Sequence, residues 1–250
     1  MQDASELTRD LNPQPFETGN ITLPPHEIPA YLAHFGSLRR ANRLAQLVSP
    51  GSRTLANQQP LFNQGDRFDA LYLVREGAMK TFMVDDGGTE QLSNFYFSGE
   101  LMGLDGIHTF RHTTSAYALE PTRISRIPFC QLEQASCRLP DIQHQVFTLM
   151  AGEITYQQRM IAVMSRKNAE QRVAYLLLRC ALHCRPARQP LRNFRLPMSR
   201  KDIGDNLGLA AETVSRILSL FEQRGVARFT GRRVERLNLQ RLEQQYLCPP

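Results

Sequence analysis

Cysteine is missing from the first half of the chain. The five that occur are Cys130, Cys137, Cys180, Cys184 and Cys248, an odd number that makes a poor disulfide framework and suits a reducing cytosol. Long apolar runs are missing as well: no stretch of about 18 apolar residues occurs, so no ordinary membrane-spanning helix is expected. The opening Met1-Gln2-Asp3-Ala4-Ser5-Glu6 is polar and acidic, without the basic start and apolar core of a secretory leader. A cytoplasmic protein with no membrane attachment is the expectation. The composition has no extreme either. Of 250 residues, 42% are hydrophobic and 22% charged, the range of a globular chain able to build one large core or two modest ones.

The charge imbalance that exists is local. The formal net charge is +6, yet the segment from Arg195 to Arg236 alone holds nine basic residues against five acidic ones. A basic cluster of this kind permits nucleic-acid binding without establishing it.

Four regions follow from the texture of the chain. Residues 1–40 carry Pro13, Pro15, Pro24, Pro25 and Pro29 and read as an irregular arm, with one or two short helices possible over Tyr31 to Val48. Residues 41–135 turn to short β-rich runs such as Leu71-Tyr72-Leu73-Val74, Met79 to Val84 and Leu92 to Phe97. Asp85-Asp86-Gly87-Gly88 between two of them is a hairpin signal. Glycines recur at Gly65, Gly77, Gly87, Gly99 and Gly106, as corners of a small antiparallel barrel or roll. Residues 136–166 read as a long helix. Phe147, Met150, Ile154, Gln157, Ile161 and Met164 are spaced alternately three and four apart, the seam of a two-helix pairing, although a stripe packed on its own domain has the same period. The stripe carries no charge, so symmetric pairing would bury none unpaired. Residues 167–250 open with a second helix, Ala169 to His183, whose Val173, Leu176, Leu177 and Cys180 share a face and which Pro186 and Pro190 end.

The segment Ser199 to Leu220 is the most informative. Ser199 followed by Asp202 reads as a capping box. Ile203 and Leu207 face inward with the small Gly204 between them, and Gly208 supplies the positive φ of a tight turn. Leu209, Val214 and Ile217 are the inward positions of the next helix. This is the register of a helix-turn-helix. Ala211, Glu212, Ser215, Arg216 and Ser219 are then forced outward, where an arginine can pair with guanine and a glutamate can accept from cytosine. A surface helix with an intrahelical Glu212–Arg216 pair would show the same two residues. Val226 to Phe229, Thr230-Gly231 and Val234 to Leu237 read as a hairpin studded with Arg228, Arg232, Arg233 and Arg236, suited to phosphate contact.

Taken together, Ile203-Gly204 through Gly208-Leu209 and Glu212-Thr213-Val214-Ser215-Arg216 resemble the DNA-reading unit of the Crp/Fnr superfamily. Gly99-Glu100-Leu101 and Lys167-Asn168-Ala169-Glu170-Gln171-Arg172 are similar to it too, and the likeness covers about residues 45 to 240. It implies an α+β chain: a cyclic-nucleotide-binding-like antiparallel β-roll, a long dimerisation helix and a C-terminal winged helix-turn-helix. Glu-x-x-Ser-Arg at 212–216 is similar to the Fnr branch, which implies a dimer on double-stranded DNA, a palindromic operator resembling TTGAT-N4-ATCAA, and contact with RNA polymerase. By the same resemblance Glu212, Ser215 and Arg216 read bases, Ser199, Arg200, Thr213, Arg228, Arg232 and Arg233 hold phosphates and the wing, and no residue is catalytic.

The chain departs from the family's cofactor patterns. Oxygen-sensing members of the Fnr branch hold an iron–sulfur cluster on four cysteines, three of them N-terminal; the arm here has none, and the fourth position falls on Ser125, a poor iron ligand. No 4Fe–4S cluster is expected. The arginine that neutralises a cyclic nucleotide's phosphate falls on Thr114, so cyclic AMP is not expected, although Glu100 could take a ribose hydroxyl. Arg111 is close but out of register. Cys180, His183 and Cys184 on one helix lack a distant fourth ligand and read as structural. His108 and His112 lack the His-x-His pair of a cupin metalloenzyme, the remote alternative. No metal is expected; gating of the roll by another small molecule or by haem stays open.

Overall fold

The computed structural model describes residues 51–183 and 193–247. The N-terminal arm, the short helices expected over Tyr31 to Val48, Cys184, Pro186 and Pro190 lie outside the described residues.

Eight strands come first: β1 (Ser52–Leu55), β2 (Pro60–Phe62), β3 (Ala70–Glu76), β4 (Ala78–Val84), β5 (Glu90–Phe97), β6 (Leu101–Met102), β7 (Ser115–Ala118) and β8 (Thr122–Pro128). They form two antiparallel four-stranded sheets, in the orders β1-β8-β3-β6 and β2-β7-β4-β5. Leu55, Phe62, Val74, Met79, Met102, Ala116, Ala118 and Ile124 fill the space between the sheets, so the interior of the roll is occupied by the chain's own side chains. The hairpin at Asp85 closes as expected: the Asp85 amide donates to the Thr89 carbonyl at 3.1 Å, and the Asp85 Oδ1 accepts from the Gly87 and Thr89 amides. Farther along the same hairpin Thr81 faces Asn94 while Phe82 faces Leu92, which leaves Ser93 as the extra residue of a β-bulge.

Two helices follow where one was expected. Helix α1 (Phe129–Arg138) stops at Leu139, whose φ of −126° and ψ of 101° are extended, and Pro140 opens α2 (Pro140–Arg166). The seam helix therefore starts at Pro140 rather than 136, because a proline fits the first helical turn and disfavours helical geometry in the residue before it. Ile142, Leu149, Gly152, Tyr156 and Val163 make the buried face of α2. Helix α3 (Ala169–His183) is buried on all sides from Val173 to Ala181.

The rest of the chain comprises β9 (Phe194–Arg195), α4 (Arg200–Leu207), α5 (Ala211–Gln223), β10 (Arg228–Thr230), β11 (Arg233–Glu235) and α6 (Leu239–Leu242). The sheet order β10-β11-β9 adds a third strand that the sequence reading did not contain. Two residues are too few for a period to register. The core around Leu177, Ile203, Leu207, Val214, Phe221 and Val234 is continuous with Ala78, Leu92, Phe95 and Phe97 of the roll. The helix-turn-helix thus rests against the roll. No helix among the described residues is long and apolar enough to cross a membrane.

Candidate nucleic-acid interface

Ser199 and Asp202 start α4 by satisfying each other's backbone. The Asp202 amide donates to the Ser199 Oγ at 3.1 Å, and the Asp202 carboxylate accepts from the Ser199 amide at 2.9 Å and its hydroxyl at 2.6 Å. This box answers two of the amides that a helix start leaves unpaired. Lys80 Nζ, from β4, reaches the same carboxylate at 2.8 Å. Burial pushes the Asp202 carboxyl up, but Lys80 and Ser199 outweigh it and hold the group below its ordinary value.

The turn to α5 depends on two glycines. Gly208 ends α4 at φ 63° and ψ 42°, a left-handed geometry that side chains with a Cβ rarely adopt. At Gly204 a Cβ would collide with the Leu209 carbonyl oxygen, and the Leu209 amide donates to the Gly204 carbonyl at 2.9 Å. Backbone contact at this crossing sets how α5 projects.

Val214, Ile217, Leu218 and Phe221 are the buried face of α5, while Glu212, Ser215, Arg216 and Ser219 are exposed. Glu212 and Arg216 have no hydrogen bond or ion pair among the described residues, so the intrahelical pair that their spacing allows is not made. Ser215 Oγ donates back to the Ala211 carbonyl at 3.0 Å. Ala210, the residue before α5, caps it with no side chain, which leaves the amides of the first turn, and the positive end of the helix dipole, facing outward. Thr213 is half-buried beside them.

Three arginines of the wing, with Arg200 at the start of α4, divide into two groups. Arg228 and Arg233 are exposed and have no partner among the described residues. Arg200 and Arg232 are tied inward: the Arg200 Nη2 donates to the Gly231 carbonyl at 3.0 Å with its guanidinium 5.7 Å from the Phe229 ring, and the Arg232 Nη1 donates to the Pro197 carbonyl at 3.0 Å. Half-burial lowers the Arg200 pKa. A guanidinium has five N–H groups, so both keep donors for a second partner, but their first use is to fix the wing.

On α2, Phe147, Ile154 and Ile161 are 58%, 59% and 69% exposed, and Met150 and Gln157 are exposed beside them. Gln157 donates to Glu153 at 2.7 Å. Met164 differs: it is half-buried and packs against the C-terminal core. Arg172 of α3 was not anticipated as a site residue. Its guanidinium donates to the Met164 and Lys167 carbonyls at the end of α2 and to the Leu207 carbonyl at the end of α4, joining the seam helix to the helix-turn-helix. Only the run Lys167 to Arg172 hinted at it.

The residues weighed for cofactors have other partners. The Glu100 Oε2 accepts from the Phe97 amide at 2.9 Å, and the Thr114 Oγ1 donates to Asp105 at 3.0 Å. Burial raises the Asp105 pKa, but His112, Thr114 and Thr113 bring it below the ordinary value. Arg111 points away, to the Gly65 carbonyl at 2.8 Å. His112 is buried and stacks on Phe62 with 3.6 Å between ring centroids, whereas His108 is exposed. Ser125 is buried in β8, where its Oγ accepts from the Arg75 Nε at 2.9 Å. Cys180 is fully buried; Cys130 and Cys137 are exposed on α1. Among the described residues no group of three or more His, Cys, Asp or Glu side chains is placed to share a metal.

Against this geometry the comparisons with known proteins are specific. A sequence model of the Crp-like helix-turn-helix domain matches residues 171–245, and one of the cyclic nucleotide-binding domain matches residues 52–136. The chain is 40% identical over 202 residues to the transcriptional activator protein Anr of Pseudomonas protegens, covering 81% of this chain and 82% of that one. It is 40% identical over 176 residues to the fumarate and nitrate reduction regulatory protein of Shigella dysenteriae, 70% of each chain. Among solved structures, FixK2 from Bradyrhizobium japonicum superposes with a TM-score of 0.69 at 28% identity, over 77% of this chain and 95% of that one.

Proposed function

The chain belongs to the Crp/Fnr superfamily of DNA-binding transcription regulators, a non-enzymatic family, and from that premise we propose that two copies pair along α2 and read a palindrome resembling TTGAT-N4-ATCAA. Each α5 enters one major groove, with Arg216 on guanine, Glu212 on cytosine and Ser215 beside them. Arg228 and Arg233 hold the flanking phosphates from the wing, and the amides at the start of α5 add to them. The dimer works in the cytoplasm and contacts RNA polymerase from its protein surface.

The observation that carries this reading is a pair of exposed surfaces on one chain: a polar face on α5 with Glu212 and Arg216, and an apolar stripe on α2 with Phe147, Ile154 and Ile161. Phe147 and Met150 of the stripe also line an apolar cavity of about 270 Å³ against Leu71, Leu101 and Phe129, and a partner helix would close it. An exposed apolar patch of this kind marks an interaction site.

The reading includes independence from an oxygen-labile cofactor. The residues present do not fit the cluster of the oxygen-sensing relatives: no cysteine precedes Cys130, and the Ser125 hydroxyl is buried and hydrogen-bonded to Arg75. They do not fit a cyclic nucleotide either, because Thr114 brings no cation to the phosphate and is bound to the carboxylate of Asp105.

Fluorescence anisotropy tests the reading with aerobically purified, chelator-treated protein on the palindrome and on a scrambled duplex at physiological salt. The expected result is a preference for the palindrome of about a thousandfold. Equal binding to both duplexes would overturn it.

A further inference from the structure

Helix α3 carries a second inward arginine seven residues after Arg172. Arg179 is 3% exposed, and the carboxylate beside it, Glu100, is 4% exposed. The Arg179 Nη2 donates to the Phe95 carbonyl at 2.7 Å and to Glu100 at 3.2 Å. Its Nη1 donates to the Asn94 Oδ1 at 3.0 Å and to the Tyr156 hydroxyl. The guanidinium also lies 4.5 Å from the Tyr156 ring and 5.1 Å from that of Phe97. Every one of these partners is outside the helix-turn-helix: Asn94, Phe95 and Phe97 are on β5, Glu100 follows the next turn, and Tyr156 is on α2.

A guanidinium charge is costly to bury unless its rigid fork of donors is matched. Once matched, the fork fixes angle as well as distance. The order continues outward from α3, since the Arg172 Nη1 holds the Leu207 carbonyl at 3.1 Å, next to the turn that leads into α5. Two surface ties act in the same sense: Lys80 to Asp202 at 2.8 Å, and Asn206 to the carbonyl of the bulged Ser93 at 3.4 Å.

We propose that Arg179 and Glu100 are positioning residues that determine which half-site spacing this protein accepts, by pinning α3, and with it the reading helix, at one angle to α2 and the roll. The proposal rests on the reading of the chain as a dimer on a palindrome. Two recognition helices meet two half-sites about one helical turn, or 34–36 Å, apart. Adding one base pair moves a half-site along the axis by about 3.4 Å and turns it by about a tenth of a revolution. A module free to swivel on α2 follows that change, whereas a pinned one does not.

The test uses the full chain and three palindromes with the half-sites four base pairs apart, one fewer and one more, together with a duplex holding a single half-site. The variants are Arg179→Lys, which keeps the charge and loses the fork, and the pair Arg179→Leu with Glu100→Gln, which removes both charges so that neither is left buried alone. Circular dichroism and light scattering establish that each variant is folded and dimeric. The native chain is expected to prefer one spacing by about tenfold or more, and the variants to bind the single half-site as the native chain does while losing most of that preference. A folded, dimeric double variant that keeps the native preference overturns the proposal. So does a native chain that binds the three palindromes equally well. A native chain that shows no gain of palindrome over single half-site overturns the dimeric reading itself, and this proposal with it.

Discussion

Arginine does two jobs in the DNA-binding module, and neighbours decide which. Arg216, Arg228 and Arg233 have no partner among the described residues, whereas Arg200, Arg232 and Arg172 donate to backbone carbonyls. A free arginine on α5 can form a bidentate pair with guanine, and in the proposed complex a free arginine on the wing would meet only phosphate. Arg216→Ala is therefore expected to weaken specific binding by roughly 1–3 kcal/mol and to relax the preference at one base pair. Arg228→Ala should weaken specific and random duplexes alike and flatten the salt dependence by about one unit of slope. Anisotropy titrations over a salt series separate the two; identical profiles for both variants would refute the assignment of roles.

An element's periodicity determines the face it buries more firmly than the partner it meets. Helix α2 shows both. Its Ile142, Leu149, Tyr156 and Val163 are buried against the chain itself, while Phe147, Ile154 and Ile161 point outward. Ile161 is 69% exposed, so Ile161→Glu should leave the monomer's fold untouched, yet in the proposed pairing it would bring two carboxylates together. The expected outcome is a monomeric mass by light scattering with loss of palindrome binding and an unchanged circular dichroism spectrum; a dimer would move the interface elsewhere. Met164 belongs to the same three-and-four spacing but packs on the C-terminal core, because α2 ends two residues later and the chain turns across it into α3. The break at Leu139 carries a local signal in Pro140, which the expectation of a helix from 136 passed over, whereas β9 exists only through pairing with β11, Phe194 opposite Val234 and Arg195 opposite Arg233.

Across the whole molecule, partly buried carboxylates are expected to make stability depend on pH. Burial pushes the Asp202 carboxyl up, and Lys80 and Ser199 together hold it below the ordinary carboxylate value. A depressed native value means that the unfolded chain binds the proton more tightly, so this stabilisation is fully present above about pH 4 and is lost as pH falls through the native value. Asp105 acts in the same direction. Glu153 acts oppositely: burial raises it, so protonation there favours the folded state as pH falls. Lys80→Ala should lower stability at pH 7 by about 1 kcal/mol, and the difference from the native chain should begin to shrink below the ordinary carboxylate value, as at about pH 3. Urea unfolding at the two pH values measures this, and a variant as stable as the native chain at pH 7 would show that the contact contributes nothing.

The features legible in the order of the residues are local in origin. The capping of α4 by Ser199, the turn at Gly208, the inward set Ile203, Leu207, Val214 and Ile217, the hairpin at Asp85 and the start of α3 all follow from rules acting over about four residues: a side-chain period, a cap, a φ that only glycine tolerates easily. The same rules placed Glu212, Ser215 and Arg216 outward, and the resemblance of that run to one family named the chemistry. Which charges remain available depends on contacts between distant segments. Lys80 meets Asp202 across 122 positions, and Arg179 meets Phe95 across 84; no period reaches that far. An arginine on a helix has the same local signature whether its fork meets a phosphate, a wing carbonyl or a buried glutamate. The difference lies in what the fold packs against it, because burial and the supply of acceptors come from segments distant in the chain.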